Sequence, residues 1–180
     1  MNRVISEIKA RTNDLEAVRR YLESSGADYV GTDEQLDIYF QVDRGRLKLR
    51  RGSIENALIH YDRPNTNGMR ESVVDLVKLP GASTDGSSSL PQQLESTLRR
   101  ALPVRVEVRK RRSIYFIGNV KFHLDHVDGL GEFVEIEAIG AESEVPRLRE
   151  QCEQHRNNLG ISSEDLVGAS CSDLLMRSAS

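Results

Sequence analysis

No run of about 18 consecutive apolar residues occurs in the 180-residue chain, so no membrane-spanning helix is expected. The N-terminus has neither the basic start nor the apolar core of a secretory leader. An excess of positive charge is missing as well. The 25 Lys and Arg stand against 28 Asp and Glu, a formal net charge of −3, which argues against a general nucleic-acid binder. These absences lead to the expectation of a cytoplasmic protein with no nucleic-acid and no membrane partner. Cysteine is scarce. Cys152 and Cys171 both fall in the C-terminal helical region and read as reduced structural residues rather than a disulfide or a metal site. No low-complexity block and no internal repeat divides the chain, and its length suits one domain, residues 1–180, with a sizeable core.

What the sequence does have is charge placed inside strand-like runs. Charged residues make up 29% and hydrophobic residues 38%. The opening run "VISEIKAR" alternates, with Ile5, Glu7, Lys9 and Arg11 on one face and Val4, Ser6, Ile8 and Ala10 on the other. "TNDLEAVRRYLESSGA" then reads as a helix capped by Asn13, with Glu16 three residues on and Gly26 after its end. Strand-like runs follow: "EQLDIYFQV", "GRLKLRRG", "NALIHYDRP" and "RESVVDLVKL". After the polar loop "PGASTDGSSS", a second helix opens at Pro91. "VRVEVRKRRSIYFI", "VKFHLDHV" and "EFVEIEAIG" return to strands, joined by turns at Gly118-Asn119 and "DGLG". From Ser143 the pattern is helical again to Gly160, and "SSEDLVGASCSDLLMR" reads as a last helix with an acidic first turn. The fold class is therefore α+β, with about eight mostly antiparallel strands and about four helices.

Several strands repeat the pattern of the first. Arg46, Lys48 and Arg50 share a face; Lys121, His123 and Asp125 share another; Glu135 and Glu137 share a third. Lys110 and Arg112 alternate with Arg109 and Arg111, so periodicity leaves that stretch unphased. Two architectures fit. One is an antiparallel sheet with one face in water. The other is a closed sheet whose lumen holds both signs of charge, which is costly unless a polyanion and divalent cations fill it. Arg and Lys would then hold phosphate oxygens, and carboxylates would hold a hard cation.

The ordered set "EIKAR", "DIYF", "GRLKLR", "YDRP", "VRKRR", "HLDHVDGLGEFVEIE" and "LGISSEDLVGASCSDLL" resembles the CYTH domain of the triphosphate tunnel metalloenzymes. It is most similar to the bacterial class IV adenylate cyclase branch. The resemblance implies an eight-stranded antiparallel β-tunnel with helices packed outside. It also implies a triphosphate substrate, ATP or tripolyphosphate, with Mg2+ or Mn2+, and a homodimer. Carried over position by position, it places Lys9, Lys48, Arg50, Arg63, Arg70, Lys110 and Arg112 on the triphosphate. It places Glu7, Asp125, Glu135 and Glu137 on metal, and Lys9, Glu7 and Arg112 at the reacting centre. Ile5 stands where the family motif has its first carboxylate, which removes one ligand from the implied metal site. The implied activity is conversion of ATP to cyclic AMP and pyrophosphate. The alternatives are hydrolysis of inorganic, thiamine or nucleoside triphosphate, and polyphosphate or nucleotide binding without turnover. His123 and His126 read as sheet residues before proton carriers, Tyr39 as a wall residue, and Lys9 as a general base only if neighbouring cations lower its pKa.

Overall fold

Alternation of apolar and charged residues gives each strand two unlike faces, and the chain resolves them by closing its sheet. The computed structural model describes residues 4–62, 70–81 and 88–178. Its elements are β1 (Val4–Arg11), α1 (Leu15–Ser24), β2 (Asp28–Phe40), β3 (Arg46–Arg51), β4 (Ala57–Asp62) and β5 (Arg70–Lys78). Then come α2 (Leu90–Ala101), β6 (Val104–Ile117), β7 (Val120–Val127), β8 (Gly131–Gly140), α3 (Val145–Asn158) and α4 (Cys171–Ser178). The strands form a closed antiparallel barrel in the order β1-β5-β4-β3-β2-β6-β7-β8, with β8 returning to β1. Among the described residues no helix is long and apolar enough to cross a membrane.

The apolar strand faces point outward under helices. Ile8, Ala10, Phe122, Leu124, Val134 and Ile136 pack against Val18 and Leu22 of α1 and Leu148 and Cys152 of α3. Ile38, Phe40 and Leu49 pack under Leu94 and Leu98 of α2. The opposite faces therefore line the lumen. One end of that lumen is closed by α4. Tyr39, Tyr61, Val108, Val127 and Phe133 form a buried cluster with Cys171, Leu174 and Leu175, and Arg46 pairs with Asp173 of α4 at 2.9 Å.

Three boundaries differ from the sequence reading. The cap of α1 is Asp14, whose side chain accepts from the Ala17 amide at 2.8 Å, rather than Asn13. A carboxylate at the residue just before Leu15 meets the positive helix end directly. β2 begins at Asp28, well before Glu34, because β6 pairs with it along its length. The last helix starts only at Cys171. Among the described residues β5 pairs with β1 as far as Glu7 and not along residues 9–11. Residues 165–167 supply the partner: the Arg11 amide donates to the Asp165 carbonyl at 2.9 Å and the Val167 amide to the Lys9 carbonyl at 2.8 Å. Satisfying buried backbone groups outweighs the helix signal there.

Candidate active site

Strand register decides which charges meet. Arg50 lies opposite Asp37 and Lys48 opposite Tyr39 across β2 and β3. Arg112 lies opposite Asp125 across β6 and β7. His123 lies opposite Glu135, and Lys121 opposite Glu137. On the other side of β8, Lys9 faces Glu135 and Glu7 faces Glu137. The unphased stretch of β6 is thereby settled: Lys110 and Arg112 are buried in the lumen, whereas Arg109 and Arg111 are exposed.

Two networks fill the charged part of the lumen. In the first, Asp37 accepts from Arg50 through Nε at 2.8 Å and Nη2 at 3.0 Å. Lys48 and Lys110 approach the same carboxylate at 3.3 Å and 3.2 Å. Glu55, from the loop between β3 and β4, reaches in to pair with Arg50 at 3.0 Å and with Lys121. In the second, Arg112 grips Asp125 bidentately and also pairs with Glu135 at 2.8 Å. Lys9 pairs with Glu135 at 2.6 Å and donates to the Cys171 Sγ at 3.1 Å. His123 Nδ1 lies 3.1 Å from a Glu135 oxygen and 3.6 Å from a Glu137 oxygen. Opposite charges thus satisfy one another inside the barrel, as desolvated charges must.

The ionisation states follow from these partners. Burial disfavours charge on Asp37, but Arg50, Lys110 and Lys48 outweigh it and hold the carboxyl well below its usual range. Burial likewise opposes Glu135, and Lys9 and Arg112 outweigh it in the same direction. Burial and nearby Arg112 draw His123 below the usual imidazole range. The two lysines diverge. Burial weighs against the Lys9 ammonium, yet Cys171 and Glu135 raise its pKa well above the ordinary value, so Lys9 is a fixed cation and not the general base. Lys48 is within ion-pair distance of Asp37 but is brought down to about 7 by burial and by Arg50, Lys110 and Arg112. The contact and the pKa point in opposite directions. The pKa carries more weight, because one carboxylate is shared among three cations.

A pH-dependent outcome follows. At pH 8 free Lys48 is mostly neutral, and a bound polyanion favours its charged form, so binding draws in a proton. Calorimetry of tripolyphosphate binding in buffers of different ionisation enthalpy should show more proton uptake for wild type than for Lys48→Met at pH 8. The difference should vanish near pH 5.5, where Lys48 is already charged. Equal uptake by the two proteins at pH 8 would remove Lys48 from the binding surface.

With this lumen in view, comparison with known proteins is decisive. The CYTH domain family model matches residues 6–170. The chain belongs to the CYTH family. It is 27% identical over 168 residues to the adenylate cyclase CyaB of Aeromonas hydrophila, across 89% of this chain and 82% of that protein. The PH1012 protein of Pyrococcus horikoshii OT3 superposes with a TM-score of 0.76 at 24% identity, covering 94% of this chain and 98% of that one. An adenylyl cyclase candidate from Hippeastrum, described as revealing a dominant triphosphatase activity, superposes at 0.63 with 15% identity, covering 99% and 96%. The two solved structures share the fold. CYTH proteins act as adenylate cyclases or triphosphatases.

The CYTH barrel brings Lys9, Lys48, Arg50, Lys110, Arg112, Asp125 and Glu135 within two linked charge networks. Glu7 and Glu137 sit opposite each other beside them. Arg70 opens β5 opposite Glu7 on the backbone ladder. Arg63 lies outside the described residues. Sequence reasoning assigned no role to Asp37, Glu55, Lys121 or Cys171. Asp37 had a signal, being an acid on the strand that pairs with Arg50. Glu55 and Cys171 had none, since they enter from a loop and from a helix start. The donor set fits a divalent ion: ligand atoms of His123, Glu135 and Glu137 all lie within 4.8 Å of one another.

Proposed function

We propose that this CYTH protein binds a triphosphate in its charged lumen and catalyses metal-dependent phosphoryl chemistry on it, with ATP cyclisation as the first reading. The observation that carries the proposal is the sharing of Asp37 and Glu135 among five buried cations, Arg50, Lys48, Lys110, Lys9 and Arg112. These cations are drawn together from β1, β3 and β6 on carboxylates that a phosphate chain can replace. A polyanion competes with those carboxylates for the same donors, and an arginine fork matches phosphate oxygens as well as it matches a carboxylate. Glu7, Asp125, Glu135 and Glu137 are the residues that would hold Mg2+ or Mn2+. Such an ion, when bound, neutralises phosphate oxygens and polarises the phosphorus under attack.

The chain's own groups divide the remaining work. Arg112 and Lys9 present fixed positive charge where charge develops on the phosphate oxygens, without reorganising at the moment of reaction. Arg50, Lys110 and Lys48 hold the rest of the triphosphate. With the triphosphate bound Lys48 is charged, as Lys9 is, so neither takes the proton of the attacking hydroxyl, which passes to solvent. In cyclisation the 3′-hydroxyl oxygen bonds to the α-phosphorus, the α–β bridging bond breaks, and pyrophosphate leaves with the electron pair. Hydrolysis is the second reading, with water attacking the terminal phosphorus. It is favoured by the closure at α4, which makes the lumen a blind cup suited to receiving a phosphate end.

A product assay separates the readings. Wild-type protein is incubated with ATP or tripolyphosphate, each with Mg2+ and with Mn2+. Cyclic AMP with pyrophosphate is the expected outcome from ATP. Orthophosphate from tripolyphosphate, with no cyclic AMP, would replace cyclisation by hydrolysis. Tight binding without turnover on any combination would leave a non-catalytic polyphosphate or nucleotide binder.

A further inference from the structure

We propose that His123 is itself a metal ligand, so that the ion shared with Glu135 and Glu137 has a nitrogen in its coordination shell and is a first-row transition ion such as Mn2+ in preference to Mg2+. The inference rests on the reading that a divalent ion enters this lumen, and it adds the identity of the donor atoms.

β1 offers such a site one carboxylate, Glu7, opposite Glu137. Along its lumen face Glu7 is flanked by Ile5 and Lys9, and neither can serve as a carboxylate ligand. Asp125 is engaged by both arms of the Arg112 fork. The donors that lie within reach of one shared ion come from β7 and β8, with Glu135 also paired to Lys9 and Arg112. His123 Nδ1 stands 3.1 Å from one Glu135 oxygen and 3.6 Å from one Glu137 oxygen. Adjacent ligands on an octahedral ion with bonds near 2.1 Å are about 3 Å apart, so the spacing already suits one shared ion.

Among the described residues, the polar contacts of the imidazole are to these two carboxylates through Nδ1. It is 1% exposed, and its Nε2 has no hydrogen-bond partner. A neutral ring carries one N–H and one lone pair. With the hydrogen on Nδ1, the Nε2 lone pair is buried and unsatisfied. With the hydrogen on Nε2, the Nδ1 lone pair faces two carboxylates. A cation among the three side chains turns the repulsion of the second tautomer into coordination through Nδ1, with the hydrogen on Nε2. Imidazole nitrogen favours the later first-row ions, while Mg2+ prefers an all-oxygen shell. Mixed nitrogen and carboxylate donors therefore shift preference away from Mg2+.

The test is pulsed electron paramagnetic resonance of the full chain loaded with Mn2+ alone, alongside competition of Mn2+ by Mg2+. The expected result is a directly coordinated 14N coupling that disappears in His123→Gln. That loss should be accompanied by at least an approximately tenfold fall in the preference for Mn2+ over Mg2+. Bound Mn2+ with an all-oxygen spectrum in wild type would overturn the inference while leaving the proposed function standing. A nitrogen coupling that persists in His123→Gln would overturn it too. Failure of wild type to bind Mn2+, with or without tripolyphosphate, would take down both. The wild-type spectrum decides the matter even if the variant fails to fold.

Discussion

Replacing Arg112 by alanine is expected to destabilise the protein by about 3–5 kcal/mol, the range for removing one partner of a buried ion pair. Arg112 is 2% exposed, and it grips Asp125 through both guanidinium arms while also holding Glu135. Truncation leaves Asp125, with no solvent exposure, beside Glu135 of the neighbouring strand without its main counter-charge. Two like carboxylates in low dielectric must then take up a proton or pull in water, and either outcome weakens the fold. For a chain of this length the loss corresponds to a fall of roughly 10 °C in melting temperature. Urea unfolding of wild type and Arg112→Ala is the direct measurement. Mn2+ should restore part of the lost stability, because a cation replaces the missing charge. An unchanged midpoint would mean that the Arg112 network contributes nothing to the folded state.

The second large effect concerns turnover. Glu135→Gln keeps the size of the side chain and removes its charge. Glu135 is the point where Lys9, Arg112 and His123 converge, so losing its charge disturbs every group near the proposed reacting centre. Turnover on whichever triphosphate proves to be the substrate should fall on the order of 10³-fold, comparable to removing a principal charge-stabilising group from an active site. Circular dichroism should show the same barrel. Turnover within a factor of a few of wild type, in a folded variant, would remove Glu135 from the site.

Much of this molecule is legible in the sequence, and the reasons are local. The runs now seen as β6 and β7 have the bounds that their residues imply, because apolar residues recur along them and a tight turn at Gly118-Asn119 separates them. The shared faces of Lys48 with Arg50 and of Glu135 with Glu137 follow from strict alternation with leucine, valine and isoleucine, and closure of the sheet turns those faces inward. Where alternation fails, so does the reading. Residues 109–112 are charged throughout, and only pairing with β2 and β7 turns Lys110 and Arg112 inward. The first half of β2 carries Gly31 and several polar residues, and it is a strand because β6 is long enough to pair with it. Residues 162–170 carry a good helix start, yet β1 claims their backbone.

The site divides in the same way. Charges on regular strands could be assigned a face before any pairing was known. Glu55 and Cys171 could not, since a loop and a helix start bring them to Lys121 and Lys9. The direction in which a lysine shifts was also beyond the sequence. Lys9 and Lys48 both lie on alternating strands, and only their neighbours make one a fixed cation and the other a group poised near pH 7.

The central claim is that the charged lumen is built for a triphosphate, and ligand-dependent unfolding tests it most directly. Wild-type protein is melted with Mn2+ present, with and without tripolyphosphate. At about 100 times its dissociation constant, a ligand confined to the folded state adds roughly 2.7 kcal/mol. That predicts a rise in melting temperature of roughly 5–10 °C for a chain of this length. No rise at millimolar tripolyphosphate, in a sample whose barrel is intact, would contradict the account.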